Sequence, residues 1–178
     1  MLATLGGGLA ESQADDPRGA GEPADPSVRI LGWDETRELI QSEYQGRVVV
    51  VNLWTNTCPA CLKGFPEFAG LQDRFDRDEF ASVSLNCDYD GIPGKPPGYY
   101  RPRVVEFLKR QRTGIDHVML SDPLLDFMEE VTLNSTPALF VFDRDGELVQ
   151  RFDNDQADTA DDEFTFEQIE ATVRELLE

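Results

Sequence analysis

The sequence predicts an α/β fold: a mixed central sheet between two layers of helices, closed by a β-hairpin and a C-terminal helix. Three observations predict it. The unbroken apolar run Val48-Val-Val-Val51, continuing through Asn52-Leu-Trp54, lacks the alternation of a half-exposed strand and reads as one buried on both faces. Strand-like and helix-like segments alternate over residues 28–131, the order of parallel strands joined by helices. Two strand-like runs, Pro137-Ala-Leu-Phe-Val-Phe142 and Glu147-Leu-Val-Gln-Arg-Phe152, flank Asp143-Arg-Asp-Gly146 and read as a hairpin with a glycine turn.

The elements follow in order. Residues 1–27 hold five Gly, five Ala, three Pro and five acids without apolar periodicity, so a flexible leader is expected. Its first ten residues are small and apolar, like the tail of a secretory signal, but no Lys or Arg precedes Arg18. The domain proper is expected over 28–178. Val28–Trp33 reads as a short edge strand, and Asp34 as the cap of a helix through Tyr44, with Leu39 and Ile40 inward and Gly46 beyond its end. A core strand at 47–54 leads to a helix over 59–76, kinked at Pro66. Phe80–Leu85 is the next strand, and 88–101, with three each of Gly, Pro and Tyr, a loop. Pro102 opens a helix to Gln111. His117–Leu120 is a strand and 123–131 a helix, with Leu124, Phe127, Met128 and Val131 at helical spacing. After the hairpin, Thr165 and Gln168 form a capping box for a helix over 166–177.

A net charge of −19 argues against nucleic acid or an anionic membrane as partner. No run reaches the roughly 18 apolar residues that a transmembrane helix needs. Three cysteines are too few for a disulfide-stapled fold. Two of them, in Cys58-Pro-Ala-Cys61, lie between a buried strand and the start of a helix. The unpaired N–H groups and dipole of a helix N-terminus favour an anion, so Cys58 is expected to ionise readily. A thiolate is the species that attacks a disulfide, and Cys61, one turn on, is placed to close a ring with Cys58. The spacing is that of a dithiol–disulfide exchange site.

Together these residues resemble the thioredoxin-like fold and, within it, the TlpA/ResA group of thiol–disulfide oxidoreductases. Val51-Asn-Leu-Trp54-Thr-Asn-Thr57-Cys58-Pro-Ala-Cys61 is similar to that group's strand and active-site motif, and Phe65-Pro66 to its kinked helix. Ser84-Leu-Asn-Cys-Asp88 resembles its next strand end, 102–112 its helical insertion, and Thr136-Pro137 with the hairpin its cis-proline loop. The resemblance spans 28–178. It implies Cys58 as nucleophile and Cys61 as the resolving thiol, with Thr136, Pro137, Trp54, Pro59 and Ala60 as the substrate-binding surface and Trp54 packed under the site. It also implies protein thiol or disulfide substrates, an upstream electron donor and no organic cofactor. A reductase in an extracytoplasmic or periplasmic compartment is expected, such as one serving cytochrome c maturation, with a cytoplasmic location as the alternative.

The chain departs from that pattern where proton acceptors are expected. Gly64 stands where many ResA-type relatives carry Glu, and Asn52 where thioredoxin has a buried acid. Thr55-x-x-Cys58 resembles the peroxiredoxin motif, but Val51 stands where that motif has Pro. Two alternatives stand beside disulfide exchange: a redox-inert interaction module, and a zinc or copper site drawn from Cys58, Cys61, Cys87 and His117. Cys87 is expected to be a buried, inert thiol. The acids Asp153, Asp155, Asp158, Asp161, Asp162 and Glu163 lack the register of a calcium loop and read as a solvated segment.

Overall fold

The computed structural model describes residues 27–178. The expected leader, apart from Ser27, therefore lies outside the described residues. Strands β1 (Val28–Leu31), β2 (Val48–Trp54), β3 (Phe80–Asn86), β4 (Asp116–Leu120), β5 (Ala138–Phe142) and β6 (Leu148–Phe152) form one sheet in the order β1-β4-β3-β2-β5-β6. The first four are mutually parallel; β5 pairs antiparallel with β2, and β6 with β5.

Helices α1 (Trp33–Glu43), α2 (Pro59–Gly70), α3 (Pro97–Gln111), α4 (Leu124–Glu130) and α5 (Phe166–Leu177) cover the sheet on both sides. Alternation along β2 assigns the two cores. Val48, Val50 and Trp54 pack with Phe65 and Phe68 of α2, Val104 and Phe107 of α3, and Ile169 and Val173 of α5. Val49, Val51 and Leu53 face the other way, toward Ile40 of α1 and Phe127 of α4. Every residue of β2 is buried, as the unbroken apolar run requires.

Three expected helix boundaries change, each for a physical reason. The cap of α1 is Gly32, not Asp34, and Trp33 begins the helix. Asp122, from the turn after β4, accepts the Trp33 N–H at 2.7 Å, and Glu35 accepts that of Gly32 at 2.7 Å. The helix can thus start early enough to bury Trp33 against Phe127 and Phe140. The helix at 59–76 ends at Gly70 and tightens into a 3₁₀ turn over Leu71–Asp73. The third helix opens at Pro97, five residues before Pro102, which lies inside it. Both prolines have the φ of a helix, but Pro97 occupies its first position, where a missing N–H costs no hydrogen bond. The β5–β6 turn requires Gly146: its φ is +79°, and a Cβ there would lie 2.8 Å from Cγ of Gln41. The capping box of Thr165 and Gln168 starts the last helix at Phe166, as expected.

Candidate active site

Strand β2 delivers the chain to Cys58 at the C-terminal end of the sheet, and α2 begins one residue later. Cys58 is the N-cap of α2; its sulfur accepts the N–H of Cys61 at 3.1 Å. Cys58 and Cys61 are joined in a disulfide. The two are unequal: Cys58 is half-buried and Cys61 is 2% exposed. Pro59 and Ala60 between them are exposed.

The Thr136–Pro137 peptide bond is cis. The loop that carries it, between α4 and β5, lies against the disulfide, with the Thr136 carbonyl oxygen 3.4 Å from the Cys58 sulfur. Ser135, Thr136 and Pro137 are partly exposed beside it. Asp155 holds this loop from the segment after β6: its carboxylate accepts the Asn134 N–H at 2.7 Å and the Ser135 hydroxyl at 2.9 Å.

Trp54, expected to form part of the substrate-binding surface, has no exposed surface. Its ring packs between Phe65 and Phe107, and its indole N–H donates to the Ser84 hydroxyl at 2.9 Å. A fully buried ring cannot touch a docking partner, so Trp54 supports the site from beneath.

The segment between β2 and Cys58 has a second anchor. Asp88, after β3, is 1% exposed at its side chain. It accepts the Asn56 backbone N–H at 2.8 Å and the Asn56 amide at 2.7 Å, and pairs with Arg103 of α3 at 3.0 Å. Arg103 also stacks over Tyr100. Neither Asp88–Arg103 nor Asp155 was foreseen as site-forming. Asp88 did fall in the recognised strand-end motif, the one local signal that could have pointed to it.

A cleft of about 260 Å³ opens on the other side of Cys61, lined by Asn52, Cys61, Gly64, Pro137, Glu163 and Phe166 among others. Gly64 faces Phe166: a Cβ on it would sit 3.5 Å from Cε2 of that ring. The two positions that lack the expected acids, Asn52 and Gly64, thus border one cavity beside the buried sulfur.

The structure separates the four residues of the alternative metal set. Cys58 and Cys61 belong to the core layer under α2, α3 and α5, whereas Cys87 is buried in the opposite layer. Among the described residues, no three His, Cys, Asp or Glu side chains converge as a metal site. His117 is buried on β4 with its Nε2 3.4 Å from the Thr113 hydroxyl, and its Nδ1 has no hydrogen-bond partner among the described residues. Burial pushes the Cys87 thiol well above its ordinary range, and its S–H lies against the Leu85 carbonyl. It is buried, as expected.

Residues 20–169 match the Redoxin family. The chain is 25% identical over 128 residues to sporulation thiol-disulfide oxidoreductase A of Bacillus subtilis, covering 71% of each chain. Among solved structures it is similar to a thiol-disulfide isomerase of Corynebacterium glutamicum, with a TM-score of 0.60 at 19% identity, covering 86% of this chain and 97% of that one. It is also similar to StoA of Bacillus subtilis, with a TM-score of 0.50 at 21% identity over 71% of this chain and 82% of that one. A disulfide at the start of a helix, faced by a cis-proline loop in this sheet order, agrees with those matches: the chain belongs to the Redoxin family, as a thiol–disulfide oxidoreductase of thioredoxin-like type.

Proposed function

We propose that the protein reduces disulfides in protein substrates, with Cys58 as the attacking thiolate and Cys61 as the resolving thiol. One observation carries this reading: the inequality of the pair. Cys58 is half-buried, at the helix N-cap, where a backbone N–H already points at its sulfur. The Cys61 sulfur is buried behind it.

The Cys58 thiolate attacks one sulfur of a substrate disulfide; the other sulfur leaves as a thiolate and takes up a proton. The mixed disulfide persists until Cys61 loses its proton and attacks the Cys58 sulfur. That step expels the second substrate thiolate and closes the Cys58–Cys61 disulfide. Two electrons pass from the protein's dithiol to the substrate, and an upstream donor restores them. The Thr136 backbone beside Cys58 suits pairing with an extended substrate segment as an added strand, with Pro137, Pro59 and Ala60 as its neighbours. We place this activity outside the cytoplasm, on the resemblance to the TlpA/ResA group. Among the described residues no helix is long and apolar enough to cross a membrane.

The reduction potential of the Cys58–Cys61 pair tests the direction. Equilibration against defined thiol–disulfide buffers, read by alkylation and mass, is expected to give a value nearer thioredoxin's, about −270 mV, than the about −120 mV of a strong oxidant. A value close to the latter overturns the reductase reading. A pair that exchanges with no buffer favours the redox-inert module.

A further inference from the structure

Positive charge is unevenly placed in this chain. Residues 95–112 carry six bases (Lys95, Arg101, Arg103, Lys109, Arg110 and Arg112) and one acid, Glu106, in a protein with 16 bases and 35 acids. Most of that segment is α3, and every one of these bases is exposed or half-buried. Residues 153–163 are the reverse: six acids and no base. The fold sets these two segments on opposite flanks of the exchange site. α3 touches the cysteine-bearing loop through Arg103, Asp88 and Asn56, and through Phe107 on Trp54. The acidic segment reaches the other flank, where Asn154 and Glu163 line the Cys61 cleft and Asp155 holds the cis-proline loop.

We propose that the exchange site selects partners by charge polarity: it favours an extended thiol or disulfide segment that is acidic on the side meeting α3 and basic on the side meeting residues 153–163. The inference rests on the disulfide-exchange reading above. The fifteen residues of α3 extend for about 22 Å at 1.5 Å per residue. The Debye length at physiological salt is about 8 Å, so an approaching segment feels the nearest flank rather than the net charge of −19. Charge of opposite sign on the two flanks orients the segment at encounter and sets its association rate. A polyanion such as nucleic acid fits less well, because it would also meet the acidic flank.

Two peptides of identical composition test this, one with three Glu before and three Lys after a single Cys, the other with that order reversed. Each is presented as a mixed disulfide with thionitrobenzoate. Cys58 attacks the mixed disulfide and expels thionitrobenzoate; Cys61 then expels the peptide thiol, so the protein dithiol is oxidised as the mixed disulfide is reduced. At about 10 mM ionic strength the two isomers are expected to differ in second-order rate by at least about threefold. The rates should converge near 1 M salt, where the Debye length is about 3 Å. The double variant Lys95→Gln/Arg101→Gln, which removes the bases of this segment on the side of the Asp88 loop, should shrink the difference while reacting normally with a glycine-flanked peptide. Equal rates at low salt, or a difference untouched in the double variant, would overturn the proposal. So would a salt-sensitive dimer at assay concentration by sedimentation, because a second copy would then cover α3. Failure with the glycine-flanked peptide as well would instead overturn the exchange reading beneath it.

Discussion

The reactivity proposed for Cys58 rests on what surrounds one sulfur atom. As the N-cap of α2 it meets the Cys61 N–H at 3.1 Å, and it lies beside the Thr136 carbonyl. The first contact favours a thiolate; the second places that thiolate where a substrate backbone would pair. Cys61 has the opposite surroundings, a buried sulfur whose proton must leave for the second step to proceed. Asn52 and Gly64 border the cleft beside it without a carboxylate at either position, Glu67 and Glu163 being the acids that line it. Gly64→Glu should supply one, since the site is one helical turn from Cys61 and a Cβ there meets only ordinary contact with Phe166. The variant is expected to move the acid limb of the pH–rate profile for resolution to lower pH. Replacing a mid-helix glycine should also stabilise the helix by up to about 1 kcal/mol. Rapid-mixing kinetics across pH and denaturant melts measure the two effects separately. An unchanged profile beside an intact fold would show that Cys61 already loses its proton efficiently by another route.

Elements hold the site through contacts that cross long stretches of sequence. Asp88 joins the end of β3, the loop before Cys58 and α3 through three hydrogen bonds. Asp88→Ala removes a buried acceptor of all three, with an expected loss of about 2–3 kcal/mol in urea unfolding. It should also slow exchange with a neutral model disulfide, because the Asn56 loop loses its anchor; an unaltered rate would show that the loop is held elsewhere. Such contacts mark the limit of what was legible in the sequence. The disulfide spacing, the buried strand β2 and the capping box of α5 are local patterns, and each led to its element. The start of α1 was not local: the carboxylate that lets Trp33 begin the helix is Asp122, 89 residues away. Pro102 and Pro97 carry the same local preference, and Tyr100 supplies the non-local contacts at the observed start. Its ring is buried, and its hydroxyl is bonded to Asp90 in the preceding loop. Asp155 read as one solvated acid among six, yet it binds Asn134 and Ser135 some 20 residues before it.

For the whole molecule, the fold places both cysteines beyond the C-terminal end of β2 and buries the lone histidine on β4, two strands across. Burial pushes His117 down to about 4 from its ordinary 6.5, so it stays neutral in the folded protein. The unfolded chain binds the proton more readily between those values. His117 therefore destabilises the fold progressively as pH falls from about 6.5 to about 4, with no further change below. The loss amounts to about 3 kcal/mol over that window. Subtracting the pH profile of His117→Gln from that of the parent removes the contribution of the acids; a difference that stays flat from pH 7 to 4 would show His117 to be freely protonated in the fold. The central proposal is that Cys58 attacks and Cys61 resolves. It is tested most directly by mixing reduced Cys61→Ser and reduced Cys58→Ser with a disulfide-bonded protein and measuring the trapped adduct by mass. Cys61→Ser should accumulate a mixed disulfide through Cys58, and Cys58→Ser little or none. Equal trapping by both variants, or trapping chiefly by Cys58→Ser, would contradict the assignment.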